Sequence, residues 1–440
     1  MKLFNKTSIA VAITLVSGHV FASGFQFNSQ SATGIGRALS GDAAIGDNAS
    51  VLARNPAAMA LFSKSALSGG LTYVQTDVRV KDVESEISGQ AIGHLSDAAA
   101  NKFVPNFYYI HPVNDKFAFG VAAFTNFGTG TNTTPITTRY NDAFIRKGGQ
   151  IHPLPFDLLG QTDVETITLN ASASYRINEN LSLGLGLDSI YGSGKLVRQG
   201  VIGNLPKDVG ADITTPLTAA YVDADGWGFG GIVGLLYEFN KDNRIGISYR
   251  KSPDIKVDGQ LEKLDSTSLQ QKVFNKLEIP LPDIFQIGGF HQLTNRFAIH
   301  YTAQLTTWKN FDQITLEDGE LAGAKVPNEP LKEYHWKDSW LYSVGATYML
   351  NDQWTVRGGL LYDNKGVDKL TSISIPDSNR IWYTGGVSYK LDNHNTVDLG
   401  VALVRGQNTR VDEASSLTGN TVAHTHGNAI YYGLQYNYQF

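Results

Sequence analysis

From about residue 64 to the C-terminus, apolar and polar positions alternate with period two in one segment after another. In "LSLGLGLDS", Leu181, Leu183, Leu185 and Leu187 share one face, with Ser182, Gly184, Gly186 and Asp188 on the other. "TVDLGVALV" sets Val397, Leu399, Val401 and Leu403 against Asp398, Gly400 and Ala402, and the terminal "AIYYGLQYNYQF" sets Leu434, Tyr436, Tyr438 and Phe440 against Gln435, Asn437 and Gln439. This is the period of strands with one face on an apolar medium. In a soluble sandwich the apolar faces would meet a second sheet. Here the opposite face is Gly, Ser, Asn and Gln throughout, which suits a watery or loosely filled lumen. Tight turns fall at Asn114-Asp115, Asn178-Glu179-Asn180, Lys241-Asp242-Asn243, Thr294-Asn295, Asn351-Asp352 and Asp392-Asn393-His394-Asn395, with long polar connections between them, such as 129–163 and 199–225. Short turns on one rim and long loops on the other predict an all-β fold, an antiparallel transmembrane β-barrel of about 14 strands. Closure is required because open edges in lipid leave unpaired backbone groups. Tyr108, Tyr109, Trp354, Trp382 and Tyr383, near strand ends, are expected in the interfacial girdles.

Composition changes little. With 440 residues, a mean hydropathy of −0.17 and a net charge of −5, the chain looks neither hydrophobic nor basic. A barrel with polar interior and loops has such an average, and the charge argues against a nucleic-acid partner. The absence of Cys fits an oxidising compartment and excludes thiolate metal sites.

The N-terminus supplies the compartment. Lys2 and Lys6 precede the apolar run "SIAVAITLV", and Val20-Phe21-Ala22 places small residues for cleavage before Ser23. The run is shorter than the roughly 20 residues a spanning helix needs. Residues 1–22 therefore read as a signal peptide and 63–440 as the barrel. Between them, 23–62 is rich in Gly, Ala and Ser with little alternation, and Leu52, Met59 and Leu61 in it want burial. Its economical place is inside the barrel as a plug. Asn55-Pro56-Ala57 would then be a fixed turn on its last leg, Pro56 supplying a rigid φ and Asn55 a local or wall hydrogen bond.

The head "SGFQFNSQSATGIGRALSGDAAIGDNASVLARNPAAM", followed by the alternating segments and the tail from "SISIPDSNRIWYTGGVSYKL" to Phe440, resembles the long-chain fatty acid transporters of Gram-negative outer membranes. The resemblance covers essentially the whole mature chain. It implies a monomeric outer-membrane barrel, set among lipid and lipopolysaccharide, whose N-terminal hatch (residues 23–62, with Asn55, Pro56 and Ala57 as its motif) plugs the lumen. It implies passive, ligand-triggered diffusion of fatty acid, with hatch movement and lateral exit at a kink in the third strand. Here the kink would fall in "FTNFG", at Asn126, Phe127 and Gly128, an interior glycine being a common site of interrupted pairing.

The ligand is mostly tail, each buried CH₂ contributing about 0.8 kcal/mol, with one carboxylate to satisfy. Alternation from Leu181 turns Arg198 into the lumen near the extracellular end, where it matches a basic pocket residue of the family. Asp363 falls on the inward parity of "TVRGGLLYD" and is expected to hold a basic residue in place. Phe25 is counted with the ligand contacts. The family's second basic residue is expected just after "WKNFDQI", where this chain has Thr315, with Lys309 the nearest lysine. In "RKGGQIHPLPFDLLG", Ile151, Leu154, Phe156, Leu158 and Leu159 form either an exposed low-affinity groove or a loop that buries its own cluster.

No catalytic constellation is evident. No G-x-S-x-G is present, the glycine pairs Gly358-Gly359 and Gly385-Gly386 lack a following helix, and "HTH" at His424 to His426 lies in an expected outer loop. No enzyme, metal or cofactor is expected. The alternatives to fatty acid uptake are a channel for aromatic or other hydrocarbons, a structural or adhesive barrel with an inert plug, and a water-filled porin.

Overall fold

The computed structural model describes residues 24–86, 91–146, 155–200, 217–415 and 419–440, so the expected leader and its junction at Ser23 lie outside the described residues. The strands form a closed antiparallel barrel of 14 strands. In chain order they are β1 (Ala66–Ser85), β2 (Ala91–Leu95 and Lys102–Pro112), β3 (Phe117–Phe124 and Gly128–Asn132), β4 (Gln161–Arg176), β5 (Leu181–Gly200), β6 (Leu217–Asn240) and β7 (Asn243–Lys251 and Asp254–Leu264). There follow β8 (Gln271–Pro280 and Ile284–Thr294), β9 (Phe297–Thr306, Gln313–Glu317 and Gly319–Leu321) and β10 (Ala324–Val326, Glu329–Glu333 and Ser339–Met349). The last four are β11 (Trp354–Asp363), β12 (Arg380–Lys390), β13 (Asn395–Gly406 and Thr409–Ser415) and β14 (Gly419–Gln439). Each strand pairs with its successor, and β1 closes on β14 from Ala66↔Gln439 to Ser85↔Thr421.

The short-turn rim is built on a recurrent device. The side-chain oxygens of Asn114, Asn178, Asn351 and Asp392 each accept two backbone N–H groups from the residues two and three places on. This satisfies the turn's own donors and tightens the reversal. Above the rim, alternation decides the faces: Leu187 is 76% exposed on the outer wall while Ser182 is 1% exposed on the inner one. Trp354 and Tyr383 point outward. Tyr108 and Trp382 do not. Both are fully buried in the lumen, Tyr108 donating its hydroxyl to the Gln30 carbonyl at 2.8 Å and Trp382 lying 4.9 Å from the Tyr431 ring. In Trp382 parity overrides residue type, because its neighbours Ile381 and Tyr383 take the outer face.

The inner glycines do not line an open watery bore. Residues 24–62 fill the lumen, coiled into the short helix α1 (Ala32–Gly36) and the 3-10 turns Ala49–Ala53 and Pro56–Leu61. The wall glycines are where that filling touches. A Cβ at Gly184 would stand 2.3 Å from the Ala57 nitrogen, one at Gly246 1.8 Å from the Ala43 oxygen, and one at Gly400 2.1 Å from the Ala32 oxygen. Close backbone approach, rather than turn formation, is what these positions need from glycine. His424 and His426 likewise lie in β14 rather than in a loop.

Candidate functional site: an apolar chamber, its floor and a gap in the wall

Within the head, Asn55 is fully buried and uses its whole amide. Its oxygen accepts the Ala57 N–H at 3.0 Å, capping the turn that Pro56 opens, and its Nδ2 donates to Ala43 (2.7 Å) inside the head and to Leu235 (3.0 Å) in the wall. Charged contacts secure the rest. Arg37 bridges Asp42 and Asp47 at 2.9 Å each, and Asp47 also meets Arg357 of β11 at 3.5 Å. Partial desolvation beside the head pushes the solvent-reaching Asp47 carboxyl up, but Arg37 and Arg357 outweigh it and hold the group below the ordinary carboxylate range. Arg250 of β7 pairs with Asp188 of β5 and donates to the Ala53 carbonyl at 3.0 Å.

The start of the head is joined to a break in the wall. β2 and β3 pair from Pro112↔Ala118 up to Phe107↔Ala123 and then part. β3 is interrupted between Phe124 and Gly128, and beyond the break Gly128–Asn132 pairs with β4 but, among the described residues, not with β2. The freed backbone groups find partners in the head and, at Phe127, on β4. Phe27 donates to the Asn126 carbonyl at 2.6 Å, and Gly128 donates to Phe25 at 2.8 Å. Gln30 Nε2 reaches the Thr125 carbonyl and the Asn126 side chain. Thr166 donates to the Phe127 carbonyl at 2.6 Å. Unpaired groups in a lipid-facing wall are costly, so the bend and the head stabilise one another. Gly128 permits it sterically, since a Cβ there would stand 2.7 Å from the Phe27 ring.

Above this junction lies a narrow chamber of about 40 Å³, lined by Leu277, Ile279, Ile314, Leu331, Tyr334 and Ile375 with Phe25 below. Phe25 sits in an aromatic nest, its ring 4.8 Å from Phe311, 4.9 Å from Trp308, 5.9 Å from Phe127 and 6.2 Å from Trp336. Ile136 of α2 (Thr134–Arg146), with Phe156, Leu159, Val367 and Ile373 from the long connections, packs into the same apolar cluster and roofs it.

The family model for "Outer membrane protein transport protein (OMPP1/FadL/TodX)" matches residues 13–440. The chain belongs to this family. It is 32% identical, over 100% of its length and 99% of the relative's, to a "Long-chain fatty acid transport protein" of Escherichia coli O6:H1. It is 34% identical, over 100% of each chain, to "Outer membrane protein P1" of Haemophilus influenzae. In fold it is similar to a Pseudomonas aeruginosa FadL homologue (TM-score 0.77, 20% identity, covering 95% of this chain and 100% of that one). A similar fold occurs in the Ralstonia pickettii toluene transporter TbuX (TM-score 0.63, 18% identity, covering 95% and 99%). The protein is thus an outer-membrane transport barrel of a Gram-negative bacterium.

In this member of the transport family, Arg198 turns inward and is buried behind the chamber wall. It donates to Gln161 (2.6 Å), Val197 (3.1 Å) and Thr162 (2.5 Å), and it faces Tyr334, Glu413 and Asp157 electrostatically. Asp363 is inward and buried beside Arg380, its register partner, but it does not line the chamber. Thr315 stands on the face opposite to Ile314 and Leu316, opposite Glu278 and Pro330 in the sheet, and does not line the chamber. Lys309 is solvent-exposed beside Asp338. A further inward cation near Tyr334 is Lys332, which sequence reasoning missed. It lies opposite Ile314 in the register, pairs with Glu413, donates to Ser372 at 2.8 Å and stands 5.7 Å from the Tyr334 ring. The alternation of "QITLE" would have assigned Thr315 outward, but nothing local marks Lys332. Phe156 and Leu158 are buried, with Leu159, rather than exposed as a surface groove: Phe156 packs where Gly200 leaves room. Ile151 and Leu154 lie outside the described residues.

Proposed function

We propose that the protein is a channel for uptake of long-chain fatty acids by passive, ligand-triggered diffusion. The tail enters the apolar chamber from outside, with Arg198 and Lys332, both near Tyr334, taking the carboxylate. Residues 24–62 act as the hatch. The ligand then leaves sideways, through the gap beside the bend of β3 at Asn126, Phe127 and Gly128.

One observation carries this reading: Phe25 is at once the floor of the chamber and an anchor of the head, hydrogen-bonded through its carbonyl to Gly128 at the bend. A tail that settles among Trp308, Phe311 and Trp336 competes with the Phe25 ring. Occupancy of the chamber and the seating of the head are then linked, and a ligand shifts the equilibrium by its differential affinity for the two states. The basic pair favours a carboxylate over a plain hydrocarbon, because a charged hydrogen bond in a low-dielectric site is among the stronger ones.

Trp308 and Trp336 in the nest supply the reporter. Titrating purified protein with oleate and with toluene should quench tryptophan fluorescence with oleate preferred, and Arg198→Met should weaken oleate about tenfold or more while leaving toluene unchanged. A response to toluene alone would assign the channel to hydrocarbons, and no response to either would leave only a structural barrel.

A further inference from the structure

The gap in the wall holds a charged pair that neither the barrel nor the chamber requires. Lys102 of β2 has a side chain only 3% exposed, and its Nζ lies 3.4 Å from Glu165 Oε1 on β4, a strand that is not its neighbour. The two meet because β3, which should separate them, has bent inward. They line a narrow crevice together with Phe27, Phe127, Gly128 and Val164, and Val164 lines the chamber as well. Asp163 is the other carboxylate that faces Lys102.

The level of the pair is informative. Glu165 lies opposite Ser193, two residues along β5 from Tyr191, whose ring is 5.1 Å from the outward Trp227. Phe103, next to Lys102, projects outward against Tyr73 at 4.9 Å. Outward aromatics of this kind mark the belt between head groups and hydrocarbon. An amphiphile crossing here has its carboxylate at the level of a buried ammonium and its tail beside the acyl chains. A buried ammonium is costly without a counter-ion, so a carboxylate that takes the place of Glu165 keeps Lys102 paired.

We propose, on the fatty acid reading above, that Lys102 is a specificity-determining residue of the lateral exit: the departing ligand's carboxylate displaces Glu165 from its ammonium. The exchange is charge-neutral, one carboxylate for another, and leaves Glu165 free to turn to the head-group layer. A ligand with the same tail and no charge cannot make it and passes without help from this residue.

The test compares import of oleate and oleyl alcohol into proteoliposomes by wild type, Lys102→Met, Lys102→Arg and Glu165→Gln, each checked for a folded barrel by heat-modifiable gel migration. Lys102→Met should slow oleate about tenfold or more, the scale of one charged hydrogen bond, and leave oleyl alcohol unchanged. Lys102→Arg should restore oleate. Glu165→Gln, which removes the competitor, should lower the KM for oleate and slow its turnover. Equal losses for both ligands in Lys102→Met, or no loss for either, would overturn the assignment and make the pair a structural pin. Wild-type protein that imports neither would fail the fatty acid reading itself, so the wild-type measurement separates the two failures.

Discussion

Replacing Asn55 by alanine removes three hydrogen bonds from a fully buried side chain: the cap on Ala57, the tie to Ala43 and the tie to Leu235 of the wall. A typical net contribution of about 0.5–1.5 kcal/mol for each gives roughly 2–4 kcal/mol, since two of the partners belong to the head itself and are left buried. That corresponds to about 30- to 1000-fold more frequent opening of the segment. The barrel keeps its own ladders, so the loss should be local. Hydrogen exchange read by mass spectrometry on detergent-solubilised protein checks this directly. Peptides from residues 24–62 should lose protection by that factor, while those from β11 to β14 keep theirs. Protection in the head reduced by less than tenfold, or lost equally from the strands, would refute the claim that Asn55 latches the head to the wall.

Gly246→Ala should have a similar outcome for a steric reason: its Cβ would stand 1.8 Å from the Ala43 carbonyl oxygen, a backbone atom that cannot swing aside. Overpacking of this kind costs about 1–3 kcal/mol, so steady ion conductance in planar bilayers should rise, whereas Gly69→Ala, which meets nothing within 4 Å, should match wild type. The latch should also be acid-sensitive. Because Arg37 and Arg357 hold Asp47 below its ordinary value, its contribution is complete above the unfolded carboxylate pKa of roughly 4 and is lost as pH falls through the lower folded value. Exchange in the head should therefore accelerate below about pH 4 in wild type, and Asp47→Asn should remove that part of the pH dependence.

The barrel was legible because a wall between lipid and lumen imposes one period on every strand, and Leu183, Leu185 and Leu187 carry it without exception. The turns were legible because Asn114, Asn178, Asn351 and Asp392 carry their hydrogen-bond acceptors at the same place in each reversal. The site was less so. Arg198 follows from parity alone, but Tyr108 and Trp382 look like girdle residues by type and turn inward by parity, and parity won. Phe156 and Leu159 sit in a connection with no period, so their burial depends on what the barrel rim offers them. Lys332 and Lys102 acquire their meaning from partners far along the chain, Glu413 and Glu165, and the second of these pairs exists only because β3 bends. The wall glycines at Gly184, Gly246 and Gly400 suggested loose filling; in the fold they are places where the backbone of the head comes too close to the wall for a side chain.

The interruption beside β3 is bounded at both ends. Below, pairing resumes at Phe107↔Ala123, and above, the Asn132 N–H donates to the Ala98 carbonyl at 2.8 Å. A slit that ran to the rim would present a free border from which neighbouring strands could unzip one bond at a time. A slit stapled top and bottom cannot lengthen without first breaking a staple, and the hoop of strands around it still carries the load. It is a buttonhole and not a tear, which lets the cylinder keep a hole in its side without the penalty of an open sheet.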